Sequence, residues 1–294
     1  MCKICQEYAS QTEGLGCMAP ALSIVIANYN FGRFLEDAIR SILAQGMGTR
    51  VEIIVCDAAS TDNSIEVIKK YDEFIAWWCS EKDGGQSEAF NKGFAHARGK
   101  YLTWLNADDI MPPGCLKKVL AEMKAHPDCE WFTANHLRFL DSDKAIIQVE
   151  WGPHIYPKFL QRKNSPLVVF GPTTFFAKTA YERVGRIDES LHFAMDTDLW
   201  LRMQAAGIKQ RRINSFCWAF RMHEKSKTAE YIGHKHVSNG PGPKLMAEHQ
   251  RAATKIGYSP SRILRWLQLF FRVLDGSLIQ RYILRRRLLG KSIN

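Results

Sequence analysis

From residue 22 onward, continuous apolar runs alternate with amphipathic stretches, and the alternation predicts a parallel sheet. Leu22–Ala27 is an apolar run of strand length, and Phe34–Ala44 places Leu35, Ala38, Ile39 and Ile42 at helical spacing. Val51–Cys56 reads as a second strand, followed by a helix starting near Asp62-Asn63, both suited to a helix N-terminus. Ile75–Trp78, a helix over Gln86–Ala97 with Ala89, Phe90, Gly93 and Phe94 on one face, and Tyr101–Leu105 continue the series. Strands lacking polar alternation are buried on both faces, so helices must cover the sheet on either side.

Past Asp109 the pattern loosens. Pro113 opens a helix carrying Leu116, Val119, Leu120 and Met123. Glu130–Thr133, His136–Leu140 and Ala145–Glu150 read as strands, the last two joined in a hairpin around Asp141-Ser142-Asp143. A further strand precedes Lys178, and a helix runs from Asp196 to Ala206, stopped by Gly207. The reading is one mixed α/β domain to about residue 225, then a helical extension over 244–288, with no internal repeat. Residues 1–20, polar and rich in small side chains, read as a flexible tail.

Composition changes this picture at one place. The 294 residues are 46% apolar, enough for a sizeable core, and carry a net charge of +10. Residues 261–294 hold eight Lys/Arg against one acid, Asp275, and so account for seven of those ten charges. The body is therefore not a broadly basic nucleic-acid surface. Cys56, Cys79, Cys129 and Cys217 sit in apolar contexts that suit buried reduced thiols, and Cys2-Lys3-Ile4-Cys5 lacks a second ligand pair at zinc-like spacing. No signal peptide and no run of about 20 apolar residues is visible, so the expectation is a cytoplasmic protein.

Polar clusters follow each of the first four strands: Asn28-Tyr29-Asn30, then Asp57 to Asp62, then Glu81 to Gln86, then Asn106-Ala107-Asp108-Asp109. Open parallel sheets bind ligands outside the carboxyl ends of their strands. Adjacent carboxylates repel unless a cation shares the site, and hard cations bridge carboxylates to phosphates. A metal–diphosphate site is one reading of Asp108-Asp109; a solvated turn before Pro112-Pro113 is the other. GxGxxG and GxxxxGK[ST] are both missing, so phosphate binding would fall mainly to a metal, helped by Lys92. Asp196, ahead of Leu199, Trp200 and Met203 at helical spacing, reads as a helix N-cap, and Asp198, about 200° around the helix, is expected at the surface.

The segments SIVIANYN, EIIVCDAASTDNS, SEKDGGQSEAFNKGFAHARGKYLTWLNADD and DESLHFAMDTDLWLRM, spanning about residues 21–226, resemble the family 2 glycosyltransferases of the GT-A fold. The nearest likeness is to bacterial members that decorate surface polysaccharides. The resemblance implies a Rossmann-like, mainly parallel sheet with helices on both faces; the N-terminal tail and the C-terminal helical extension lie outside it. It implies a nucleotide-sugar-binding half at 21–110 and an acceptor-binding half at 111–235, which the basic amphipathic extension at 236–294 follows. It also implies metal-dependent, inverting sugar transfer from a nucleotide-diphospho-sugar, with UDP as nucleotide, to a glycan or lipid-linked glycan.

Roles follow position by position. Asp57 matches the acid that addresses the nucleotide base, with Ala27 and Tyr29 in the same pocket. Asn91-Lys92-Gly93 matches a helix segment facing the donor, and Asn28, Gln86, Asn106 and Ala107 complete the donor-facing set. Asp109 matches the ligand of Mn²⁺ or Mg²⁺, with Asp108 turned to the donor. Asp196 matches the catalytic base, and His223, a metal or phosphate candidate beside Asp109, falls where members carry an RxH segment near the diphosphate. Two departures stand out: Asp57-Ala58-Ala59-Ser60 replaces a glycine-bearing turn, where Ala tolerates positive φ poorly, and Met195-Asp196 replaces Glu-Asp. The alternatives are a polyprenyl-phosphate sugar synthase and a non-catalytic protein holding membrane or nucleic acid through its tail.

In that tail Ile263, Leu264, Trp266, Leu267, Leu269, Phe270, Phe271, Val273 and Leu274 alternate with Arg262, Arg265 and Arg272, and a second apolar stretch runs into Arg285-Arg286-Arg287. This pattern suits a helix lying in an anionic membrane interface, which would make the protein peripheral on the inner face of the cytoplasmic membrane. It equally suits a helical pair packed on the domain or on a second subunit, its arginines reaching past the apolar surface to water.

Overall fold

The computed structural model describes residues 19–152, 171–225, 243–258, 261–274 and 277–293. The expected N-terminal tail, with Cys2, Cys5 and Cys17, lies outside them up to residue 18. Among the described residues the centre of the fold is an eight-stranded sheet. Strands β1 (Leu22–Asn28), β2 (Val51–Asp57), β3 (Ile75–Ser80) and β4 (Tyr101–Asn106) lie parallel in the order β3-β2-β1-β4. Every residue of β2 and all but one of β1 are buried, as continuous apolar runs between helices must be.

The intervening helices are α1 (Gly32–Leu43), α2 (Ser64–Lys70) and α3 (Gln86–His96). A Cβ at Gly93 of α3 would stand 2.4 Å from Val25 and 3.1 Å from Cys56 Sγ, so the missing side chain lets the helix lie directly on β1 and β2. At the amino ends of the strands, Glu52 is buried yet accepts hydrogen bonds from Ser23 Oγ at 2.6 Å and from Arg98 Nε at 2.9 Å. A buried carboxylate is tolerable only with such partners.

The second half adds α4 (Cys115–Ala125), β5 (Trp131–Leu140), β6 (Ile146–Glu150), β7 (Thr174–Ala177), α5 (Lys178–Arg183), α6 (Met195–Ala205) and β8 (Gln210–Met222). α4 starts two residues later than expected, because Gly114 takes a left-handed φ of 74° after the two prolines. The two expected strands over 130–140 are one. β5 pairs antiparallel with β7 through Trp131–Thr133 and with β6 through His136–Phe139, so the break in pattern marks a change of neighbour. Its other edge pairs in parallel with β8, which pattern-reading did not anticipate. Strand β7 also runs antiparallel to β4 and so joins β5 to the first four strands.

The extension comprises α7 (Pro243–Lys255), α8 (Arg262–Leu274) and α9 (Ser277–Leu288). Ile293, just past α9, is buried with Leu137, Phe139, Ile146 and Val149 in a second small core.

Candidate active site

The strand order reverses direction between β1 and β4, and polar loops leave the carboxyl ends there. A cavity of about 930 Å³ opens at this point. Of the residues singled out from the sequence, Ala27, Asn28, Tyr29, Gln86, Asn106, Ala107, Asp108 and Asp196 line it. Asp57, Asn91, Lys92, Asp109 and His223 stand behind or away from that lining.

Each departure has a local cause. Asp57 is buried, and its oxygens accept from Asn28 Nδ2 at 2.7 Å, Ser60 N at 3.0 Å, Ser60 Oγ at 2.5 Å and Ser80 Oγ at 2.6 Å. Both oxygens are committed to shaping the loop, and Ala58 and Ala59 of that loop face the cavity instead. Ala59 adopts a φ of 54°, so the alanine accepts the left-handed turn that was expected to exclude it.

Asn91 and Lys92 do not face the donor side. Only the first turn of α3, Gln86 and Ala89, reaches the cavity. Asn91 Nδ2 donates to Ile187 O at 3.0 Å and Glu189 Oε1 at 2.7 Å, tying α3 to the loop before α6. Lys92 pairs with Glu81 at 2.9 Å, which raises its pKa, and the lysine that lines the cavity is Lys82.

The two adjacent aspartates separate. Asp109 is wholly buried and accepts from Arg221 N at 3.0 Å and Asn106 Nδ2 at 2.8 Å. Burial, reinforced by the neighbouring Asp108, pushes its carboxyl well above the ordinary carboxylate range. Asp109 does not line the cavity. Asp108 does, and its Oδ2 lies 3.0 Å from His223 Nε2. The His223 ring packs against Phe31 and Phe34, with centroids at 5.5 and 4.6 Å.

Among the described residues no preformed cluster of three or more His, Cys, Asp or Glu could hold a metal. One carboxylate and one imidazole already in contact nevertheless fit an ion that takes its remaining ligands from phosphates and water.

Asp196 enters the cavity from α6. Its Oδ1 accepts from Thr197 N at 2.6 Å, and burial raises its carboxyl above the usual 3.8. A Cβ on Gly171 would stand 3.4 Å from Asp196 Oδ2 and 3.1 Å from Trp104, so glycine keeps the space before this carboxylate open. The N-cap position belongs to Ala194, not Asp196. Asp198, expected at the surface, is buried and ion-paired with Arg202 at 2.6 Å, because α6 packs on both flanks.

Two residues escaped the sequence reading. Arg221, 1% exposed, donates from Nε to the Asp108 carbonyl at 2.8 Å and from its terminal nitrogens to Asp141 and Asp37, each at 2.8 Å. It locks the end of β4 to α1 and to the β5–β6 hairpin. Glu248 on α7 accepts backbone hydrogens from His192, Phe193 and Ala194 at 3.3, 2.7 and 3.0 Å, clasping the start of α6. These three bonds outweigh the effect of burial and hold its carboxyl below the ordinary 4.5. Buried Arg221 could have been suspected from period-two placement in β8, but nothing local marks Glu248.

The family described as Glycosyl transferase family 2 matches residues 23–185, more than half of the chain. Over 131 residues the chain is 36% identical to an uncharacterized glycosyltransferase of Nostoc sp., covering 43% of this chain and 40% of that protein. It is 25% identical over 217 residues to hyaluronan synthase of Pasteurella multocida, covering 73% of this chain and 22% of the synthase. The chain thus spans less than half the length of either curated relative. Residues 1-349 of TarS from S. aureus, solved in complex with UDP-GlcNAc, superpose with a TM-score of 0.59 at 14% identity, covering 80% of this chain and 65% of that one. The mannosyltransferase PcManGT from Pyrobaculum calidifontis, in complex with GDP-Man and Mn²⁺, gives 0.54 at 16% identity and covers 92% and 87%. At these identities the structural likeness is one of fold, the GT-A type, and matches the mainly parallel α/β architecture read from the sequence.

Proposed function

Because the chain belongs to glycosyl transferase family 2, we propose that it transfers a sugar, with inversion, from a nucleotide-diphospho-sugar to a hydroxyl of a glycan or lipid-linked glycan. The observation that carries this reading is the pair of carboxylates, Asp108 and Asp196, lining one cavity at the carboxyl ends of β1–β4. One addresses the leaving diphosphate and the other the incoming hydroxyl.

Tyr29, 61% exposed at the lip, offers a ring face to a nucleobase beside Ala27, Ala58 and Ala59. UDP is the proposed nucleotide, in keeping with UDP-GlcNAc in the TarS complex. Lys82 supplies a positive charge for phosphate oxygens, and Gln86 and Asn106, hydrogen-bonded at 2.6 Å, present amides toward the sugar.

Asp196 takes the proton of the acceptor hydroxyl as its oxygen attacks the anomeric carbon and the bond to the diphosphate breaks. The packing that raises its carboxyl above the ordinary range also makes it a stronger base once ionised. Asp108 and His223 are the residues that would hold Mn²⁺ or Mg²⁺, whose chemistry there is charge compensation for the departing diphosphate. Arg221 keeps Asp108 in place through its carbonyl. The buried thiols of Cys56, Cys115 and Cys217 are free, which suits work in the reducing cytoplasm.

The test is nucleotide release from a panel of UDP-, GDP- and dTDP-sugars in the presence of Mn²⁺. Slow hydrolysis or transfer from a UDP-sugar is the expected result. Failure to bind or turn over any donor would refute the reading.

A further inference from the structure

Helices α8 and α9 carry a surface that the transfer reaction does not explain. Eleven of the fifteen exposed large apolar side chains among the described residues lie on α8, on α9 or at Leu289 just beyond. On α8, Ile263, Trp266, Phe270 and Leu274 are 75%, 72%, 61% and 68% exposed. Steps of three and four residues put them on one stripe, about 80° wide at 100° per residue. Leu267 and Val273 border it. α9 adds Ile279, Tyr282 and Ile283, then the exposed Arg285, Arg286 and Arg287, with the Arg286 guanidinium 5.4 Å from the Tyr282 ring.

The surface is held on the domain. Gly290 N donates to Ile146 O at 2.8 Å, Ile146 N donates to Lys291 O at 2.9 Å, and Ile293 is buried in the second core. α9 is thereby fixed to the β5–β6 hairpin while the outward stripe stays bare. A contiguous apolar patch of this kind marks a contact surface.

Charge decides between occupants. Residues 261–294 carry seven of the ten net positive charges of the chain. A second copy seated on this face would bring like charges together, whereas anionic phospholipid headgroups would neutralise them. Among the described residues no helix is long and apolar enough to cross a membrane. The 13 residues of α8 span only about 20 Å, against a hydrocarbon core of about 30 Å. A helix of this make-up lies in the plane of the interface.

We propose that α8 and α9 form a docking surface for an anionic lipid bilayer, with Trp266 and Phe270 below the headgroups and Arg285, Arg286 and Arg287 among the phosphates. Only its use, bringing Asp196 to a lipid-linked acceptor, rests on the transfer reading; the surface itself does not.

The experiment is co-sedimentation of the full chain with phosphatidylcholine vesicles, with and without phosphatidylglycerol. Binding should require phosphatidylglycerol and weaken as salt is raised. Trp266→Glu/Phe270→Glu should abolish it, and Arg285→Gln/Arg286→Gln/Arg287→Gln should reduce it about a hundredfold, three basic contacts being lost. Donor-nucleotide release without lipid, measured on every variant, reports folding and keeps the two readings separable. Equal sedimentation of wild type and Trp266→Glu/Phe270→Glu would overturn the proposal. So would a wild-type dimer in solution that this double variant dissociates and anionic vesicles leave in the supernatant.

Discussion

Glu248 is far from the cluster of motifs, yet the structure makes it a positioning residue for the helix that carries the proposed base. Its carboxylate receives three backbone hydrogens at residues 192–194, immediately before the helix that bears Asp196. Replacement by alanine leaves those donors to water and removes a negative charge from a helix N-terminus. Capping substitutions of this kind cost about 1–2 kcal/mol. One of the three contacts is long and the site is partly exposed, so the lower half of that range applies. The expected fall in Tm is about 2–4 °C. If the same energy is lost from the productive placement of Asp196, turnover falls about five- to tenfold.

Donor affinity should be unchanged, since Glu248 does not line the cavity. Glu248→Gln should fall between, because a neutral acceptor makes weaker hydrogen bonds. The pH dependence gives an internal control. The folded-state pKa of Glu248 lies below 4.5, so its contribution is complete above the unfolded value and fades as pH drops through the folded one. The Tm difference between wild type and Glu248→Ala should therefore persist at neutral pH and close in acid. Melting curves by circular dichroism and nucleotide release at saturating donor are the assays. Equal Tm values at pH 7, or a loss confined to donor affinity, would refute the reasoning.

Asp108→Asn should weaken Mn²⁺-dependent donor binding at least about tenfold, while Asp109→Asn should leave it within about twofold, read by calorimetric titration. The reverse order would restore the metal role to Asp109. Because burial raises Asp196 above 3.8, the acid limb of kcat/KM should lie above that value, activity falling as the base is protonated. A limb at or below 3.8 would point to another base. Ala59 holds a φ of 54°, so Ala59→Gly should stabilise by about 1 kcal/mol in urea denaturation, relief of left-handed strain outweighing the added chain entropy.

The first four strands were legible because β1, β2 and β4 are buried on both faces and need no partner to be recognised. β8 was not, since it opens with Gln210-Arg211-Arg212 and turns Ser215 and Arg221 inward among its apolar residues. The six residues of α5 are too few to show a helical period. At the site, sequence located the polar strand ends but not which side chain faces the ligand. Asp108 and Asp109 look equivalent in one dimension. What separates them is Arg221, 112 residues away, whose backbone hydrogen captures Asp109 while its guanidinium holds the Asp108 carbonyl. Asn91 turns from the cavity for a similar reason, its partners Ile187 and Glu189 lying beyond any local pattern.

The proposed chemistry turns on Asp196 as the base of a sugar transfer in the β1–β4 cavity. Its most direct test is Asp196→Asn, measured for donor affinity and for nucleotide release side by side. Donor affinity should stay at the wild-type level while turnover falls about 10²- to 10⁴-fold, the usual contribution of a general base. Undiminished turnover in a folded Asp196→Asn protein would contradict it.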